Sequence, residues 1–567
     1  MSEPQQPAPA GGGQVDPAGS RNSALVAAGI LLSRISGLVR TAVIARFLGV
    51  SAVADAFQAA MRIPNLLQNL LGEGVLSASF IPVYSRLLAQ GRDAEAGRVA
   101  GAIAGLLSTL TGVLALLGVV FAAPITRLVA IGFTGRTLEL AITLTRILFP
   151  GVGFLVLSAW CLGVLNSHRR FFLSYVAPVI WNVTQVAVLV AAVVLIDGDV
   201  LSATPSTAVL EQLAIALAWG VLAGGVLQFA VQLPAVLRSA GPVRPSLDTR
   251  LAGVRGTLRA FWPVVTGRGV VQLMIYVDIA LASLLAEGAV SALEYATRLV
   301  LLPISLFGMS AAASELPALS SLDTHERAGV ARRLAPALAR IAFFVVPTIA
   351  AFVVLGDLLY DVVLPPLPAT LVWLVLLGST VGLLSNTSSR LLQSALYASG
   401  DTRTPTRYAI MRVVVAALVG AALMLQFDRV VLTEAGYAVQ GSLPAFTPLP
   451  PDVRGTDPTE ALRLGAVGLA LAAGASSWLE FGLLRRHLTR HRGIAVRLGG
   501  GQLQRTGLAG ALAGAAGLVV RLLLADHPLP VLLPATGATI GLSYLALAAA
   551  LRLPQIAEVR RVLPRRR

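Results

Sequence analysis

The chain has 567 residues, 56% of them hydrophobic and 13% charged, and its mean hydropathy is +0.78. Soluble proteins average about 25% charged residues, so the composition excludes a soluble globular protein and defines a polytopic membrane protein. The net charge of +16 comes from arginine alone, and the arginines fall in short loops rather than one patch, which excludes a nucleic-acid-binding surface. One cysteine, Cys161, excludes an internal disulfide and any thiol-based metal or redox motif.

Residues 1–20 are rich in Pro, Gly and Ala and read as a disordered cytoplasmic tail without a cleavable signal. Fourteen apolar segments long enough to span follow, centred on 23–49, 56–85, 99–122, 138–165, 171–196, 208–236, 260–285, 290–320, 336–356, 368–398, 405–426, 460–484, 505–524 and 530–551. An even count puts both termini on one side. Loops after even-numbered spans carry Arg92 and Arg98, Arg169 and Arg170, Arg244 to Arg259, Arg327 to Arg333, Arg403 and Arg407, and Arg485 to Arg497. The opposite loops 197–211 and 356–368 carry no arginine. By the positive-inside rule both termini are cytoplasmic.

The first two spans are the least lipid-like. Arg34, Arg40, Asp55, Arg62 and Glu73 lie in or at the edges of them. An ionisable side chain at the bilayer centre costs at least about 2.5 to 3.5 kcal/mol, so these helices are expected to line a polar space inside a bundle. An arginine-rich polar space points to an anionic substrate. Arg34, Arg40 and Arg46 are spaced by six, which rotates each by about 120° from the last. Gly37, beside Ser36, is the expected bend that turns the first two toward one cavity, and Arg46 is placed to snorkel to the interface.

An internal repeat is visible. Residues 78–85 and 313–320 share the pattern A-S-x-x-P-x-x-S at an offset of 235, and Arg62 and Arg298 stand upstream within one residue of that offset. The basic turn at 166–170 has a counterpart at 399–403. An offset of six helices keeps the orientation, so the fold class expected is all-α, with two pseudo-symmetric six-helix lobes. The first lobe covers 21–236 and the second 237–459 with 460–504. Two further spans occupy 505–552, and 553–567 form a basic cytoplasmic tail.

The runs SRISGLVRTAVIARFLG (33–49), DAF (55–57), RIPNLL (62–67) and GEGVLSASFIP (72–82) resemble the MurJ (MviN) family of lipid II flippases, within the multidrug/oligosaccharidyl-lipid/polysaccharide exporter superfamily. YATRLVLLPISLFG (295–308), GVLQFAVQLP (225–234) and YASGDTRTP (397–405) extend the resemblance over essentially the whole chain from residue 23. It implies a transporter rather than an enzyme, located in the bacterial cytoplasmic membrane. Such a protein moves undecaprenyl-pyrophosphate-linked disaccharide-pentapeptide to the outer leaflet by alternating access, for peptidoglycan synthesis. The implied partners are lipid II, membrane lipids and the cell-wall synthesis machinery, with a monomeric state and no nucleic acid.

Residue by residue, the resemblance implies that Arg34, Arg40 and Arg298 engage the pyrophosphate, which suits the permanently charged guanidinium fork. Arg298 either shares that cavity or pairs with Glu294 one turn earlier. Asp55 matches a cavity-mouth acid that pairs with an arginine or contacts substrate. Arg62 and Glu73 join the implied binding set, Glu73 without an assigned role. The last two spans match a groove for the lipid tail. Asp278 matches a sodium ligand of some relatives and either binds a cation or pairs with an arginine, so Na⁺ and the membrane potential are the two implied driving forces. Its expected partners are not evident at 409–425, and Gln68, Asn69 and Thr41 replace charges that many relatives carry.

Two other classes compete. An enzyme acting on polyprenyl phosphates needs paired acids at a membrane surface to hold Mg²⁺, whereas Asp93, Asp248, Asp323 and Asp401 are scattered and His168, His325, His487 and His491 read as solvated. A drug/cation antiporter of the same superfamily favours acids in its cavity, and another lipid-linked oligosaccharide is the nearer alternative substrate.

Overall fold

The computed structural model describes residues 17–557 except 197–205, 242, 274, 310, 313–314, 316–326, 365, 400, 402, 434, 455–460, 495 and 497–500. The second copy of the A-S-x-x-P-x-x-S pattern, the basic tail after residue 557 and most of the N-terminal tail lie outside that set. The helix α1 begins at Pro17, inside the segment expected to be a tail, and runs unbroken to Leu48. No break falls at Gly37. Asn182 packs beside it, and a Cβ there would lie 3.7 Å from Asn182 Nδ2, an ordinary contact.

The first half of the chain continues as α2 (Ala52–Leu71), α3 (Glu73–Ser79), α4 (Ile81–Ala89), α5 (Asp93–Val120), α6 (Ala122–Val129), α7 (Gly135–Ser167), α8 (Phe171–Ile196) and α9 (Thr207–Ala240). The helices α10 (Ala252–Leu273), α11 (Ile275–Ala282) and α12 (Ala289–Pro303) follow, and α12 runs into a π-helical turn at Ile304–Met309. Next come α13 (Arg327–Asp361), α14 (Pro366–Thr380), α15 (Leu383–Ala398) and α16 (Arg403–Phe427). The chain ends with α17 (Pro451–Arg454), α18 (Gly465–Arg490), α19 (Gln502–Leu523) and α20 (Leu529–Ala550).

Among the described residues, eleven helices are long and apolar enough to cross a membrane. The number is twelve when α14 and α15, bent by 44° at 381–382, count as one span. The break has a local cause: a Cβ at Gly382 would lie 2.5 Å from Gly474 O, so α18 approaches where no side chain intervenes.

Burial sorts the helices into groups. Two apolar cores join α1 to α5 and α7 to α10, and a larger one joins α12 to α16 with α18. Ala45 and Val50 of the first half enter that larger core. Together α19 and α20 pack on α13, where Tyr544 Oη donates to Phe343 O at 2.7 Å and Arg521 grips Asp357 through both oxygens at 2.8 and 2.5 Å.

The all-helical expectation needs one correction. Residues between α16 and α18 form a three-stranded antiparallel sheet of β1 (Val430–Thr433), β2 (Gly436–Val439) and β3 (Ala461–Arg463) in the order β2-β1-β3. Leu432 faces Tyr437 on one neighbour and Leu462 on the other. The β-branched Val430, Val431 and Thr433 favour an extended chain, and Gly436, at φ 116°, supplies the turn.

Candidate functional site

A pocket between the two halves of the chain is lined by Arg40 and Thr41 of α1, Gln58 and Asn65 of α2, and Glu294 and Arg298 of α12. Glu294 is its hub. Its Oε2 accepts from Arg62 Nη2 at 2.6 Å, and its Oε1 lies 2.5 Å from Arg298 Nη2. The two arginines that the repeat relates therefore hold opposite oxygens of one carboxylate. Buried charge is tolerated when paired and hydrogen-bonded, which this arrangement achieves for a carboxylate only 7% exposed.

Arg40 completes the cluster from α1. Its guanidinium lies 4.8 Å from the centre of the Trp181 ring, a cation–π contact. Its Nε is buried with no hydrogen-bond partner among the described residues. The pocket is thus lined by Arg40 and Arg298 against one glutamate, which Arg62 holds from outside the lining, with one Arg40 donor left open. That is an anion-binding arrangement.

Arg34 lies apart from this pocket. It is six residues earlier on α1, exposed, and donates from Nη1 to Ser305 Oγ at 2.8 Å on the π-helical turn. Arg298 both pairs with Glu294 and lines the pocket with Arg40, so the two readings of it coexist.

Among the described residues, Asp55 pairs with no arginine. It is 2% exposed, and its Oδ2 and Oδ1 accept from the Gly288 and Ser291 backbone N–H groups at 2.8 and 2.7 Å. These are orphan donors at the start of α12, where a carboxylate is favoured. Gly288 makes the fit: its φ is 88°, and a Cβ would lie 2.5 Å from Val50 Cγ1. Nearby, Tyr295 Oη donates to Gly49 O at 3.0 Å and Gly132 N to Ser283 Oγ at 3.0 Å. Arg454, at the end of α17 between β2 and β3, donates to Gly132 O at 3.3 Å. All four contacts join the halves at the end of the bundle where α1 stops and α12 starts.

Glu73 opens α3 with an exposed side chain, away from this cluster. Asp278, on α11, is exposed and interacts electrostatically with Arg62 and Arg412. Two cations beside a carboxylate repel a third. Among the described residues, no group of three or more His, Cys, Asp or Glu gathers where a metal could bind.

Sequence reasoning missed a second charged cluster. Glu480 of α18 is 3% exposed, accepts from Gln393 Nε2 at 2.7 Å and pairs with Arg412 Nε of α16 at 3.2 Å, with Arg390 of α15 beside them. The signal was present: Arg390, Arg412 and Glu480 are lone charges inside apolar spans, as Arg34 and Arg40 are.

A polytopic helical membrane protein with an arginine-lined pocket between its two halves is a transporter fold by architecture and chemistry. The chain belongs to the family described as Lipid II flippase MurJ, which residues 44–442 match. It is 34% identical over 410 residues to the lipid II flippase MurJ of Burkholderia cenocepacia, covering 68% of this chain and 75% of that one. It is 31% identical over 442 residues to the probable lipid II flippase MurJ of Vibrio cholerae, covering 75% and 80%. A solved lipid II flippase MurJ in an inward closed conformation superposes with a TM-score of 0.69 at 20% identity, covering 94% of this chain and 99% of that one.

Proposed function

We propose that this chain flips lipid II from the inner to the outer leaflet of the bacterial cytoplasmic membrane. The observation that carries the reading is the shared carboxylate: Arg62 and Arg298, from the two halves, meet on Glu294 beside Arg40. A pyrophosphate entering this pocket meets guanidinium groups from both halves, as a site at the interface of two rocking lobes requires. An arginine-rich pocket repels cations, which disfavours the drug/cation antiporter.

In this reading α1 and the pair α10–α11, whose charges lower their hydropathy, are the two spans beyond the twelve apolar ones. The result is fourteen spans with both termini cytoplasmic. The contacts of Asp55, Tyr295, Gly132 and Arg454 then form a closed extracellular gate. An apolar pocket lined by Leu338, Ala342, Leu384, Trp478, Phe481 and Leu503 supports placing the polyprenyl tail between α13 and α19. Asp278, flanked by Arg62 and Arg412, serves as an arginine partner and not as a Na⁺ ligand. The membrane potential, negative inside, favours outward movement of an anionic headgroup by about 2.3 kcal/mol per charge and 100 mV.

The test is depletion of the native flippase in a bacterial host complemented by this chain, with lipid II in the outer leaflet as readout. Restored exposure is expected. Accumulation of lipid II in the inner leaflet despite full expression overturns the reading.

A further inference from the structure

The exposed face of α15 is a polar stripe. Asn386, Arg390, Gln393 and Tyr397 follow at spacings of four, three and four, the period of one helix face, while Thr387, Leu391 and Leu392 on the other side are buried. A stripe with an arginine in mid-helix would be costly against lipid, so it faces an aqueous space. Gln393 and Arg412 hold the two oxygens of Glu480 on one side of the stripe. Asp278 links Arg412 electrostatically to Arg62, and so ties this wall to the pocket around Glu294.

Its charges do not balance. Glu480 answers Arg412, but among the described residues no side chain or backbone oxygen is hydrogen-bonded or ion-paired to the Arg390 guanidinium, which stands beside Arg412 and Glu480. Arg412 is nine residues from the start of α16 and Glu480 ten from the end of α18, about 14 Å from the cytoplasmic ends of both. Arg298 is about 14 Å from the opposite, extracellular end of α12. The second cluster therefore lies on the cytoplasmic side of the first, on the second lobe.

We propose that Arg390, seated by Arg412 and Glu480, is a second anion subsite that takes a carboxylate of the peptide on the substrate headgroup, separate from the pyrophosphate at Arg40 and Arg298. The proposal rests on the lipid II reading, whose headgroup joins a pyrophosphate at one end to a peptide at the other. A pentapeptide ends in a carboxylate that a lipid pyrophosphate alone lacks. A guanidinium that only shares the Glu480 charge with Arg412, and holds no oxygen by a hydrogen bond, is the group that distinguishes the two.

The experiment compares affinities of the purified full chain in nanodiscs for lipid II and for undecaprenyl pyrophosphate, which has no peptide. Wild type is expected to bind lipid II at least about tenfold more tightly. In Arg390→Gln that ratio falls about tenfold, whereas Arg298→Gln weakens both lipids and keeps the ratio. Because Arg412→Gln alone would strand Glu480, the paired variant Arg412→Gln with Glu480→Gln is the second arm, and it too is expected to lose the ratio. An unchanged ratio in a folded Arg390→Gln protein overturns the subsite, and so does equal weakening of both lipids, which would assign Arg390 to the pyrophosphate. Wild type that binds neither lipid more tightly than phosphatidylcholine instead overturns the lipid II reading, and the subsite with it.

Discussion

Arg62 Nη2 donates to Glu294 Oε2 at 2.6 Å, joining two helices whose residues stand 232 apart in the chain. The other oxygen of Glu294 faces Arg298, the repeat-related counterpart of Arg62. One carboxylate therefore balances an arginine from each half of the chain. In the proposed function it is the group for an incoming pyrophosphate to displace, because both are oxyanions presented to the same guanidinium groups.

Coupling between Arg62 and Glu294 follows. Glu294→Gln and Arg62→Gln are each expected to abolish complementation at matched expression. In a double-mutant cycle on thermal stability in detergent, the pair should show a coupling of about 1 to 3 kcal/mol, because each single variant strands a partly buried charge. Strictly additive losses would mean that the contact contributes nothing.

Arg40 and Arg34 should separate by chemistry. Arg40 touches the pocket and stacks on Trp181, whereas Arg34 reaches Ser305 below it. Alanine at either position is expected to stop lipid II flipping while the protein still inserts. Arg40→Lys should also fail, since an ammonium cannot reproduce a fork that stacks and donates together. Arg34→Lys, needing only a donor to a hydroxyl, is expected to retain more transport. Flipping measured in proteoliposomes decides it, and equal retention by both lysine variants would remove the distinction.

The unpaired cost of an arginine in an apolar span singles out Arg34 and Arg40 from the sequence, because that cost is local, whereas Arg298 is reached through the repeat and the family resemblance. The repeat pairs Arg62 with Arg298 for the same reason. What the chain does not display locally is the partner. Glu294 is visible as a neighbour of Arg298 at i−4, but its contact with Arg62 depends on how α2 packs against α12. The same holds for Arg521 with Asp357, 164 residues apart. Asp55 reads as a charge in search of a countercharge, whereas its partners are backbone N–H groups that no residue identity announces. Gly37 resembles a hinge in the sequence, yet α1 runs through it unbroken, and the actual break falls at Gly382 where α18 crosses.

The sheet between α16 and α18 carries a pH dependence. Burial pushes the Asp428 carboxyl up to about 6, against the pull of Arg463 and Arg454. An unfolded aspartate titrates near 3.9. Between about pH 4 and 6 the folded state holds the proton that the unfolded state has released, so stability falls as pH rises through this window and is flat above it. The change in unfolding temperature on going from pH 7 to pH 4.5 is expected to be more favourable in the wild type than in Asp428→Asn. An identical pH difference in both proteins would remove Asp428 as its source.

The proposed extracellular gate gives the last test. Asp55 satisfies two N–H groups that open α12, and α12 carries Glu294 and Arg298 at its centre. Opening toward the outside must pull α2 away from that helix start and leave both donors to water. Replacing Asp55 by Ala removes the acceptor from the closed state only, at a cost of about 1 to 2 kcal/mol typical of a lost helix cap. The closed population should therefore fall by roughly 5- to 30-fold relative to the open one. Spin labels on Gly49→Cys and Ser291→Cys in a Cys161→Ala background would report the distance across the gate. A longer distance is expected in Asp55→Ala, with Asp55→Asn intermediate because its amide oxygen still accepts one bond. Transport should slow in both, since a gate that fails to reclose cannot return the arginine pocket to the cytoplasmic side. An unchanged distance distribution in Asp55→Ala would show that the remaining contacts, Tyr295 to Gly49 and Gly132 to Ser283, hold the gate without it.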